Sequence, residues 1–117
     1  KSQDFESVRL ANVAARKKSA HGVSAGDFDL AARSVINERG FGDFFIHRTG
    51  HGLGLEIHEE PNIKQDESFI LNEGNIYTIE PGVYLPGLGG IRIEDDVLIE
   101  PSSCRSLTTL SRDLIYL

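Results

Sequence analysis

The hydrophobic period of this chain changes at Gly40, and that change limits what it can fold into. Upstream, apolar residues recur every three or four positions, the spacing of a helix with one face on a core. Phe5, Val8, Ala11 and Ala15 form one such stripe in an alanine-rich stretch, which predicts a helix over residues 4–19. Lys17 and Lys18 suit its C-terminal dipole, and His21-Gly22 supplies a stop. Ser24 is the expected N-cap of a second helix, with Asp27 at the third helical position. The buried stripe of that helix is Phe28, Ala31, Ala32, Val35 and Ile36, and Arg39-Gly40 closes it.

Downstream of Gly40 the period becomes two. Ile76, Thr78 and Glu80 share one face of an expected strand, and Pro81-Gly82 bends the chain. Pro86-Gly87-Leu88-Gly89-Gly90 is a turn by composition. A further strand is expected over residues 91–99. Ile91, Ile93, Val97 and Ile99 line one of its faces; Arg92, Glu94 and Asp96 line the other. Asp95 interrupts the apolar face. Two helices followed by several strands predict an α+β arrangement, with the helices on one side of a curved, mainly antiparallel sheet.

With 117 residues, 39% hydrophobic and 26% charged, the chain suits one small globular domain or a piece of a larger one. It holds no Met and begins with Lys, so it is expected to start downstream of its start codon and to be a fragment. A formal charge of −6 argues against a nucleic-acid surface, which needs clustered Lys and Arg. No apolar stretch approaches the ~20 residues of a membrane span. Cys104 stands alone, which excludes an internal disulfide; a reducing compartment, the cytoplasm, is the simplest reading.

The unusual segment is His47-Arg48-Thr49-Gly50-His51-Gly52-Leu53-Gly54-Leu55-Glu56-Ile57-His58-Glu59-Glu60-Pro61. It holds three of the four His, interleaved with three Gly that let the backbone approach something closely. One hydrogen-bonded loop histidine would be unremarkable; this cluster favours a site, with His51 as candidate metal ligand. It is not H-E-x-x-H, because Asn62 stands where the second His is needed and Pro61 disfavours the helix. Nor do Gly50, Gly52 and Gly54 have the spacing of a dinucleotide-binding loop. For Glu80 and Glu94, two readings stand. Glu80 ends a strand in solvent and Glu94 pairs with Arg92, or both are inner-face carboxylates that need a cation. Taken with His51, they make a hard, oxygen-rich ligand set.

Four phrases carry a resemblance. His47-Arg48-Thr49-Gly50-His51-Gly52-Leu53-Gly54, Ile57-His58-Glu59-Glu60-Pro61, Tyr77-Thr78-Ile79-Glu80-Pro81-Gly82-Val83-Tyr84 and Gly90-Ile91-Arg92-Ile93-Glu94-Asp95-Asp96 resemble the second half of the pita-bread metallopeptidases, in that family's order. Prolidase, aminopeptidase P, methionine aminopeptidase and creatinase share that fold. The context of Glu94 and the His47-Arg48 pair resemble the prolidase and aminopeptidase P branch. Creatinase lacks the metal set.

The resemblance implies that residues 1–117 are the C-terminal portion of a catalytic domain, without its first half or the N-terminal domain. It implies metal ligation by His51, Glu80 and Glu94, with Glu94 bridging two ions. Glu80 would also accept the proton of the attacking water, and His58 would contact substrate and stabilise the tetrahedral intermediate. His47 and Arg92 would line the substrate site. The implied substrates are peptides with Pro at the second position, cut at the N-terminal bond. The implied cofactor is a pair of divalent ions, Mn²⁺ or Co²⁺, with Zn²⁺ admitted by the same ligands. The family's two Asp ligands precede the helices and have no counterpart here, since Asp4, Asp27 and Asp43 sit in the wrong contexts. The chain alone is therefore expected to bind at most one ion, weakly, and to be inactive. An open sheet edge should make it dimerise or aggregate, and the expected oligomer of the intact protein is a homodimer. The alternatives from other classes are a non-catalytic peptide- or protein-binding module and a metal-free, creatinase-like hydrolase.

Overall fold

The computed structural model describes residues 2–115. Helix α1 (Ser2–Lys18) buries Val8, Ala11 and Ala15 of the expected stripe, leaves Phe5 half-buried, and ends in Arg16, Lys17 and Lys18. Gly22 follows at φ 90°, a left-handed backbone that suits glycine at a helix stop. Helix α2 (Ala25–Glu38) is capped as its sequence predicts: the Ser24 hydroxyl accepts from the Asp27 amide. Its buried face is Ala25, Phe28, Asp29, Ala32 and Ile36, so Ala31 and Val35 lie further to the side than expected. A carboxylate stands inside that face.

A short 3₁₀ turn (Gly42–Phe44) leads into seven strands. These are β1 (Gly50–Gly52), β2 (Glu59–Ile63), β3 (Ile76–Ile79), β4 (Gly82–Leu85), β5 (Gly89–Arg92), β6 (Asp95–Ile99) and β7 (Cys104–Ser106). Five form an antiparallel sheet in the order β2-β1-β3-β6-β7; β4 and β5 form a separate hairpin. The helices pack on each other, α1 against β3, β4 and β5, and α2 against β2. The core between them holds Phe28, Ile36, Ile63, Leu71, Tyr77 and Ile79, each fully or almost fully buried. Each such side chain contributes roughly 1.5–3 kcal/mol.

The expected strand over 91–99 is two strands in two sheets. β5 ends at Arg92, β6 begins at Asp95, and Ile93-Glu94 is the joint between them. The alternation survives the joint: Asp95, Val97 and Ile99 are buried, while Arg92 and Glu94 are exposed. Asp95 interrupts the apolar face only in charge, because its carboxylate is fully paired. It accepts from Asn12 Nδ2 at 2.9 Å, Ser106 Oγ at 3.0 Å, and Arg112 Nε and Nη2 at 2.8 and 2.7 Å. The composition-based turn is also shorter than expected, since Gly89 and Gly90 already pair within the hairpin.

Two further polar groups position the histidine segment. Asp29, with no exposed surface, receives a two-pronged bond from Arg33 Nε and Nη2 at 2.8 and 3.0 Å and the Thr49 hydroxyl at 2.7 Å. Arg33 also donates to the Phe45 and His47 carbonyls at 3.0 and 2.9 Å, and lies over the Phe45 ring. Removing one partner of such a buried pair costs about 3–5 kcal/mol, a large part of the ~5–15 kcal/mol that holds a domain together. We expect Arg33→Met to lower urea-unfolding stability by that amount and Thr49→Val by about 1 kcal/mol. Equal, small effects would mean that the Asp29 charge is not buried.

Cys104 on β7 donates to the Arg16 carbonyl at 3.2 Å. Burial pushes its thiol pKa up, with Arg16 pulling it partly back. The thiol should react with a disulfide reagent at pH 8 more slowly than an unhindered one. A rate equal to that of free glutathione would show that β7 does not stay docked on the end of α1.

Candidate metal and peptide site

The site begins at the seam between β1 and β3. A Cβ on Gly50 would collide with the Thr78 carbonyl, so glycine is what allows β1 to lie so close. The seam is sewn by backbone bonds: Leu53 N to Ile76 O at 3.1 Å and Glu80 N to Thr49 O at 2.6 Å. The Thr78 hydroxyl accepts from the His51 amide at 3.0 Å. This register brings the His51 ring to the end of β3, where Glu80 follows.

His51 Nε2 and Glu80 Oε2 are 3.3 Å apart, with side chains 6% and 15% exposed. Glu80 is therefore not a strand end left in solvent. His51 Nδ1 lies 2.9 Å from the Gly52 carbonyl, which can only accept, so Nδ1 carries the proton. With only that proton on the ring, Nε2 points its lone pair at a carboxylate oxygen. Two acceptors face each other, and a cation between them, either a second ring proton or a metal ion, is what the pair is built to share.

His58 joins this group. Its ring centroid lies 4.6 Å from that of His51 in an edge-on arrangement, although His58 is itself exposed. Glu94, on the joint beyond β5, is placed differently. Its Oε1 is 3.4 Å from Arg92 Nη2, the pairing that one sequence reading allowed, with both side chains partly exposed. Burial first, and the charge of Glu80 second, hold its carboxyl above the usual carboxylate range, against the pull of Arg92 and His51. Glu94 thus shares a field with Glu80 and His51. Among the described residues, no three His, Cys, Asp or Glu side chains form a ready-made metal cage. The donors fit a hard divalent ion, and two of the three expected ligands meet.

His47 stands four residues before His51. Its Nδ1 is 2.7 Å from the Arg48 carbonyl, which leaves Nε2 to accept from the Tyr84 hydroxyl at 2.8 Å. Gly82 passes beneath: a Cβ there would stand 2.8 Å from the Tyr84 oxygen and 3.1 Å from His47 Nε2. Tyr84 contacts His47 and was not singled out by the sequence reading; its signal is its position on β4, four residues after Glu80. A cavity of about 390 Å³ between α1 and the β4–β5 turn, lined by Phe5, Leu85, Leu88 and Ile91, contains none of the three site histidines.

The description of metallopeptidase family M24 matches residues 1–101. The chain belongs to that family. The M24 chain is 49% identical over 113 residues to the putative dipeptidase YkvY of Bacillus subtilis, covering 97% of this chain and 31% of that protein. It is 48% identical over 111 residues to the Xaa-Pro dipeptidase of Pyrococcus furiosus, covering 95% and 32%. A crystal structure of prolidase from Thermococcus sibiricus superposes with a TM-score of 0.95 at 46% identity, over 99% of this chain and 32% of that one. The pita-bread arrangement of two helices on an antiparallel sheet is shared with it. The chain spans about a third of the length of the curated relatives it matches.

Nuclear magnetic resonance tests the tautomer on which the site reading stands. Long-range nitrogen–proton correlations should show neutral His51 protonated at Nδ1, with Nε2 shifting when Mn²⁺ or Zn²⁺ is added. A proton resident on Nε2 would remove the facing-acceptor argument.

Proposed function

We propose that this segment supplies His51, Glu80 and Glu94 to a dinuclear metal centre that hydrolyses the N-terminal bond of peptides with Pro in second position. The observation that carries the reading is the His51–Glu80 contact. A neutral ring nitrogen and a carboxylate oxygen 3.3 Å apart stabilise one another only through a shared cation. The donor types favour Mn²⁺ or Co²⁺ and admit Zn²⁺. When bound, such ions polarise the scissile carbonyl and activate water.

The chain's own residues divide the remaining work. Glu80, close to His51 and little exposed, accepts the proton of the attacking water. His58, exposed beside the His51 ring, is free to donate to the oxygen that gains charge. His47, held by Tyr84, and Arg92, at the end of β5, line the substrate side. The Xaa-Pro preference is taken from the names of the Pyrococcus and Thermococcus relatives, whose full length is about three times the span matched here.

Charge balance sets what the segment does alone. Two divalent ions and a hydroxide leave more positive charge than Glu80 and Glu94 neutralise, so further carboxylates from outside this segment complete the centre. The 117-residue chain should bind at most one ion, weakly, and cleave no Xaa-Pro dipeptide, while light scattering should read a species larger than a monomer. A full-length chain carrying this segment should lose activity on chelation, regain it with Mn²⁺ or Co²⁺, and behave as a homodimer. Chelator-sensitive peptidase activity from the segment by itself would overturn the charge argument. Unchanged activity of a chelated full-length chain would overturn the metal reading.

A further inference from the structure

Asp95 is the most completely bonded carboxylate in the chain, and it adjoins Glu94. Its four donors come from three separate places: Asn12 on α1, Ser106 on β7, and Arg112 on the segment that follows β7. With every acceptor direction filled, Asp95 is not available to a metal. The same donors grip the joint on both sides of Glu94. Asn12 Nδ2 also reaches the Ile93 carbonyl at 3.4 Å, and the Ile93 amide donates to the Pro81 carbonyl at 3.3 Å. On the other side, the Arg112 guanidinium holds Asp95 with two parallel bonds and adds a third to Ser106 Oγ at 3.0 Å. The segment carrying Arg112 is itself anchored along β6. Leu107 N donates to Asp96 O at 2.7 Å, and Asp96 N to the Thr108 hydroxyl at 2.9 Å.

We propose that Arg112 is a positioning residue for the metal centre: by clamping Asp95 it fixes the β5–β6 joint and hence where the Glu94 carboxylate can reach. This inference rests on the reading of Glu94 as a metal ligand. Its physical basis is that Glu94 lies between two strands of different sheets, where the bond from Ile93 N to Pro81 O is the one backbone tie among the described residues. Side chains must supply the stiffness there. A planar fork gives direction as well as charge, which a lysine ammonium does not.

The test uses a full-length chain carrying this segment, stripped of metal and titrated with Mn²⁺. Arg112→Gln should weaken Mn²⁺ binding about 10- to 100-fold, the usual effect of losing a group that orients a ligand. Arg112→Lys should fall between parent and Arg112→Gln, and Arg105→Gln, which breaks an exposed pair on β7, should bind as the parent does. In turnover of an Xaa-Pro dipeptide, kcat should fall with Arg112 substitution while KM stays put. Thermal melts of the metal-free proteins accompany the titration, and if Arg112→Gln melts below the assay temperature, Arg112→Lys carries the comparison. Parent-like Mn²⁺ affinity in the folded Arg112 variants, with Glu94→Gln weakened, would sink the clamp and leave the ligand reading intact. Parent-like affinity in Glu94→Gln would sink the ligand reading, and this inference with it.

Discussion

The fork that Arg33 makes to Asp29 is the interaction on which the histidine segment depends. A carboxylate within the buried face of α2 costs several kcal/mol of lost hydration, and only close, well-directed donors offset it. The guanidinium that supplies them has donors to spare, and it spends these on the carbonyls of Phe45 and His47. Thr49 adds its hydroxyl to the same carboxylate. One buried charge thereby holds three points of the chain entering β1. His51 follows two residues after Thr49, so its ring position is inherited from a helix that carries none of the proposed ligands.

From that anchor the rest of the geometry follows by short steps. Gly50 lets β1 close on β3, and the bond from Glu80 N to Thr49 O ties the end of β3 to the same anchored residue. The His51–Glu80 contact is therefore set by backbone pairing, with little left to side-chain choice. Glu94 stands at the opposite extreme. It follows the end of a two-stranded hairpin, in the gap before β6, and depends on Asn12 and Arg112 for its frame.

Much of this was legible in the sequence. The helical stripes, the Ser24 cap and the clustering of His with Gly each rest on local rules, and local rules read directly from residue order. The break between β5 and β6 was not, because alternation continues through Ile91, Ile93, Asp95, Val97 and Ile99 as if one strand ran throughout. Period two reports which way side chains face and is silent on which sheet a strand joins. Asp29 was missed, and Asp95 was read as an anomaly. Arg33 stands four residues after Asp29 on the same helix, a spacing that reads as an ordinary surface pair and hides the burial; Arg112 lies 17 residues from Asp95, and pairing across a fold leaves no spacing signature. Tyr84 was passed over because a tyrosine in an apolar hairpin looks like core.

Asp29, Asp95, Glu80 and Glu94 fall into two kinds, and the difference is physical. Asp29 and Asp95 have no exposed surface, and their oxygens are met by Arg, Asn, Ser and Thr donors within 3.0 Å. Adding a cation to either would mean breaking bonds already made. Glu80 meets only the His51 ring among the described residues, and Glu94 only a partly exposed Arg92 at 3.4 Å. These two retain unsatisfied acceptor capacity, and repulsion from Glu80 is part of what raises the Glu94 pKa. A divalent ion would relieve that repulsion at Glu80 and Glu94, and would offer no gain at Asp29 and Asp95. Counting the donors that each one already holds separates scaffold from candidate ligand.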